Sequence, residues 1–147
     1  MGKVLLLEGI YYAAVVVFEV PSGYFSDRVG RKRTLLLSSG ALVVAYLLFF
    51  FGSTFNEFVF AQIMLAGGIA FNSGTDTSLH YDSLADLGRE TEYAERESVV
   101  ARNSLVATGA AALLGGAVAT FGLQYAYALS AITALTCLFV ALSFVEP

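Results

Sequence analysis

A few polar side chains stand where they could do chemistry. Glu8 and Glu19 interrupt the apolar run Val4–Phe25. A carboxylate is costly in hydrocarbon, so each must carry a proton, bond to a neighbouring helix or face water. Glu19 lies roughly 12 Å along a helix from Asp27. It is the candidate for coupling, and the alternative is a structural acid held beside Pro21. Glu8, nearer the start of the run, is expected to snorkel or face water. Gln62, Asn72 and Asn103 can line a path or bond across helices. Asp82, Asp86 and Glu90 repeat at i, i+4 and i+8, one helix face, where carboxylates can gather a divalent metal or simply be solvated. His80 has no second histidine and no cysteine nearby, so a zinc site is not expected. Ser73 lacks a histidine on another segment to serve as its base.

The elements that must position these residues follow from the distribution of charge. Of 147 residues, 57% are hydrophobic and only 14% charged, against about a quarter charged in soluble domains. That balance excludes a disordered chain and argues for a membrane protein. The net charge of −4 leaves no basic surface for nucleic acid. The single cysteine, Cys137, excludes an internal disulfide and reads as a small buried hydrophobe. Residues 34–56, 58–75 and 103–145 contain no charge at all. A spanning helix needs about 20 apolar residues. The expected fold is therefore an all-α, polytopic bundle of five transmembrane spans at about 4–24, 34–53, 57–79, 99–120 and 124–145. The last uncharged run holds two of them, with the turn at Gly122-Leu123-Gln124.

Seven of the eight Lys/Arg residues fall after the first span or around the third-to-fourth junction: Arg28, Arg31, Lys32, Arg33, Arg89, Arg96 and Arg102. Lys/Arg concentrate in cytoplasmic loops, so segments 26–33 and 80–98 are expected inside the cell and the N-terminus outside. The first span reads as a membrane helix, not a cleaved leader, because four basic residues follow it and no A-x-A site does. Segment 80–98 reads either as an interfacial helix broken near Gly88 or as a solvated loop. Small residues at four-residue spacing, Ala66/Ala70/Gly74 and Ala112/Gly116/Thr120, offer close helix contact.

The most informative stretch runs from Glu19 to Thr34, EVPSGYFSDRVGRKRT. It is a helix end, a short basic turn and a helix start, with Gly30 free to take a positive φ at the corner. It resembles the loop signature of the major facilitator superfamily, G-x-x-x-D-R-x-G-R-[RK], filled here by Gly23, Asp27, Arg28, Gly30, Arg31 and Lys32. Residues 74–84, GTDTSLHYDSL, are similar to the end of the fourth helix in one branch of that family. The resemblance implies that the five spans match helices two to six of a twelve-helix transporter, without its first helix and its C-terminal half. It also implies a latch at the signature loop. Asp27 would face a helix of the other half, and Arg31 would pair with Asp76 or Asp82. Proton-coupled drug exporters of the family carry an Arg early in the fourth helix. Gln62 stands near that place here, which argues against proton-driven drug antiport.

The expected function is secondary transport of a small solute by alternating access, the chain being a fragment inactive alone. The expected partners are the lipid bilayer, a small-molecule substrate with a coupling proton or ion, and the missing C-terminal half. Such transport breaks no covalent bond and calls for no cofactor or metal. Two other readings stay open: a small membrane protein with an assembly or scaffold role, and a metal-dependent membrane transferase using the Asp82 face. In every case the protein is expected to be multi-pass in the cell membrane, with the signature loop cytoplasmic.

Overall fold

A computed structural model describes residues 2–144; the expected end of the last span at residue 145 lies outside them. Five helices are long and apolar enough to cross a membrane: α1 (Gly2–Val29), α2 (Arg31–Phe51), α3 (Phe55–Asp86), α4 (Tyr93–Ala119) and α5 (Leu123–Ser143). One 3-10 turn, Glu90–Glu92, precedes α4. No strand occurs among the described residues.

Glycine makes the corners. Gly30 alone separates α1 from α2, with φ +103°. Gly88 (φ +65°) ends α3, where the Arg89 amide donates to the Leu84 carbonyl at 2.8 Å and the Gly88 amide to the Ala85 carbonyl at 2.9 Å. This is the Schellman pattern that satisfies final helix carbonyls. Gly122 (φ +145°) precedes α5. The remaining turn is closed by a capping box. Thr54 Oγ1 accepts from the Glu57 amide, and the Glu57 carboxylate accepts from the amides of Ser53 and Thr54. The bundle thus has a Gly30 end, shared with the α3–α4 junction, and a Gly52 end, shared with the α4–α5 turn.

The helices overrun the stretches expected to span. Pro21 lies inside α1 without ending it, and the helix continues to Val29. Segment 80–98 is not a separate interfacial helix. Its first part completes α3, its last part begins α4, and only the bend at Gly88 and the short 3-10 turn lie between. At 32 residues, α3 measures about 48 Å, well beyond the ~30 Å hydrocarbon core.

α3 is the central element, packed against α2 and α1, while α2 also packs against α5. Small residues bring the backbones together: Ala45, Ala61 and Ala66 are fully buried, and Ser38 Oγ on α2 donates to the Gly68 carbonyl on α3 at 2.7 Å. The two small-residue stripes part company. Ala66 and Ala70 are buried, whereas Gly74 is exposed. Ala112 and Gly116 on α4 and Thr120 at its C-cap are all exposed, and α4 buries no residue. The expected close packing through the fourth span is absent, because α4 lies mainly along α5 and hardly touches α3.

Candidate functional site

The Gly30 end gathers most of the polar side chains of the bundle's tightly packed part. The single-residue corner holds the last turn of α1 beside the first turn of α2, and the long α3 brings its C-terminal turns alongside both. Arg31 stands at the meeting point. Its Nη1 donates to Asp27 Oδ1 at 2.8 Å and to Ser26 Oγ at 3.2 Å. Its Nε donates to Asp82 Oδ2 at 3.0 Å. One guanidinium therefore joins α1, α2 and α3. Beneath it, Thr75 Oγ1 donates to Ser26 Oγ at 3.0 Å, and both residues are buried. Thr34, fully buried, donates to the Gly30 carbonyl at 2.8 Å and secures the corner.

The sequence-derived candidates divide around this junction. Asp27, Gly30, Arg31 and Asp82 are brought together. Asp76 is exposed on another face of α3 and lines a shallow cleft of about 230 Å³ with His80, Ser83 and Phe144. Arg28 points away, its guanidinium 4.8 Å from the centre of the Tyr24 ring. Gly23 is exposed with open space above its Cα. Lys32 makes no ion pair among the described residues. Glu19 is exposed on α1, and its main-chain carbonyl, not its carboxylate, accepts from Ser22 Oγ. Asn72 is exposed; Asn103 is also exposed and accepts from Arg102 at 3.4 Å. Gln62 lies at the opposite end, in a cavity shared with Glu8.

The acidic series Asp82, Asp86, Glu90 does not form one helix face. Asp82 is committed to Arg31, Asp86 ends α3, and Glu90 lies beyond the bend in the 3-10 turn. The buried hydroxyls Ser26 and Thr75 escaped sequence reasoning, since a hydroxyl in an apolar run signals nothing without its cross-helix partner.

A second polar group ties the α3–α4 junction. His80 Nδ1 and Glu97 Oε2 are 2.9 Å apart, with Tyr93 packed beside the imidazole at 5.4 Å between ring centres. Before the membrane part of α4, Glu92 takes hydrogen bonds from Arg89 and Arg96. These bonds, Arg89's foremost, hold its carboxyl at about 2, far below the usual carboxylate range.

Among known proteins, the family model described as Major Facilitator Superfamily matches residues 4–147. No curated protein and no solved structure matches the chain.

Proposed function

The chain belongs to the Major Facilitator Superfamily, and from that premise we propose that its five helices are part of a secondary transporter that moves a small solute by alternating access. Membership makes it an integral, multi-pass membrane protein of a transporter family. In this reading the helices work against a facing half of the same fold, and the two rock about a site near the bilayer midplane. Solute and any coupling ion pass between the halves, and no covalent bond is made or broken. The Arg31 junction serves as this half's side of the latch at the cytoplasmic face: it holds the ends of α1, α2 and α3 together and positions Asp27 to meet the facing half.

The observation that carries this reading is the Arg31 bridge from Asp27 to Asp82. A ligand or conformational signal can bias a two-state equilibrium only through contacts that differ between the states. A three-helix ion junction at the mouth of the bundle is such a contact. The test is uptake of a solute panel by proteoliposomes holding these helices with their facing half. Accumulation above empty liposomes that falls by about fivefold or more in Arg31→Ala supports the proposal. Accumulation unchanged in that variant removes the latch, and no accumulation of any solute removes transport.

A further inference from the structure

At the Gly52 end, α1, α2, α3 and α5 line an open cavity of about 660 Å³, with Lys3 and Glu8 both exposed on its α1 side. A recess of about 180 Å³ shares Glu8, Phe49, Gln62 and Tyr127 with it and adds Tyr11 and Tyr46. The combined space falls within the roughly 300–1,000 Å³ typical of small-molecule sites.

One wall is aromatic. Phe49 lies nearly parallel to Tyr127 (4.9 Å between ring centres, 18°) and to Phe58 (6.2 Å, 20°). Near the mouth, Lys3 Nζ sits 5.8 Å from the centre of the Phe55 ring, so this lining already accommodates one ammonium. Among the described residues, Glu8 contributes the only carboxylate to either space. It makes no ion pair or hydrogen bond among the described residues. It lies about 7.5 Å further along α1 than Lys3. Aromatic faces attract cations through the ring quadrupole. An unpartnered carboxylate beside stacked rings is complementary to positive charge on an apolar body.

We propose that this cavity binds an organic cation, its charge set against Glu8 and its apolar body against the Phe49–Phe58–Tyr127 wall. Gln62 and the Tyr127 hydroxyl supply the neutral polar contacts that orient it. Lys3 works against the ligand: it repels a cation at the mouth and competes for the same aromatic lining. An anion would gain from Lys3 but meet Glu8, and a neutral aromatic would be indifferent to both. Calling the ligand a transported substrate rests on the transporter reading above; binding does not.

The test is equilibrium binding to the full chain in nanodiscs of neutral lipid, with empty nanodiscs subtracted. The probes are tetraphenylphosphonium and tetraphenylborate, alike in shape and opposite in charge. The cation is expected to bind at least about tenfold more tightly than the anion, and Glu8→Gln to weaken it by about tenfold. Lys3→Gln is expected to tighten it about threefold, and Glu95→Gln, a charge loss at the far end, to change nothing. Equal binding of the two probes, unchanged cation binding in Glu8→Gln, or weakened cation binding in Lys3→Gln each overturns the proposal. Should Glu8→Gln not fold, the probe pair and Lys3→Gln decide alone. Glu8-dependent binding without solute uptake leaves this site standing and removes the transporter reading. Solute uptake with cation binding indifferent to Glu8 does the reverse.

Discussion

Arg31 Nε lies 3.0 Å from Asp82 Oδ2, joining the first turn of α2 to the last turns of α3. The same guanidinium holds Asp27 at 2.8 Å through Nη1. The Arg31 side chain is 23% exposed, Asp82 40% and Asp27 67%. Solvent therefore screens the pairs, and each contributes modestly. Their value lies in geometry: the planar guanidinium fork reaches two acids on two helices at once, which a lysine ammonium cannot reproduce.

Arg31→Ala removes both pairs and leaves Ser26 Oγ with only the Thr75 hydroxyl. A loss of about 1 kcal/mol from such half-exposed pairs shifts a two-state equilibrium about fivefold. Transport by proteoliposomes is expected to fall by at least that factor in Arg31→Ala and by less in Arg31→Lys. Asp82→Asn, which removes one of the two pairs, should cost no more than Arg31→Ala, and the double variant should be no worse than Arg31→Ala alone. Asp76→Asn should transport normally, since Asp76 does not touch Arg31. Strict additivity of the Arg31 and Asp82 losses would show that the pair does not act as a unit.

The close contact between α2 and α3 gives a separate prediction about stability. A Cβ on Gly68 would stand 2.7 Å from the Leu42 side chain and 3.1 Å from the Ser38 carbonyl. The Leu42 side chain would have to move, and the Ser38 carbonyl, being backbone, has little room to yield. Gly68→Ala is expected to cost about 1–3 kcal/mol, the usual range for overpacking, read as a lower midpoint of thermal unfolding in detergent. Gly74→Ala and Gly116→Ala, with nothing within 4 Å, should unfold at or above the parent's midpoint. A midpoint for Gly68→Ala equal to theirs would mean that the backbones are not in contact.

Much of this arrangement was legible from charge and spacing. Three uncharged runs give four membrane helices, and the run Val4–Phe25, apolar but for Glu8 and Glu19, gives the fifth. The signature residues place Gly30 at a corner and narrow the partner of Arg31 to two acids. Choosing between them needs rotational position: Asp76 and Asp82 lie six residues apart, about 120° around the helix, and only α2 packed on α3 selects the Asp82 face. The same reason hides the unequal fate of the two small-residue stripes. Ala66 and Ala112 look alike in sequence, and only the neighbouring helix makes one buried. Glu8 reads as an interfacial acid because the aromatic wall opposite it comes from α2, α3 and α5, far away in the chain.

α4 is held differently from the rest. It buries no residue, and His80–Glu97 is the only side-chain hydrogen bond joining it to α3 among the described residues. Losing one such bond, worth about 1 kcal/mol, should raise local opening about fivefold. Hydrogen exchange by mass spectrometry on His80→Ala or Glu97→Ala is expected to show faster exchange over residues 93–103 and no change in α2. Unaltered exchange over 93–103 would mean that the α5 contacts alone fix the start of α4.

Orientation in the bilayer gives the last prediction. The Gly30 end carries Arg28, Arg31, Lys32, Arg33, Arg89, Arg96 and Arg102, and the Gly52 end carries Lys3. Each basic residue near a span end resists translocation, so an excess this large dictates which end remains inside. With Cys137 replaced by Ala, a cysteine at Glu90 should be shielded from a membrane-impermeant thiol reagent in intact cells and react after lysis. A cysteine at Ser53 should react in intact cells. The native Cys137 must be removed first because it is exposed on α5. Labelling in the opposite sense would place the Arg31 junction outside the cell, and with it the latch on the wrong side of the membrane.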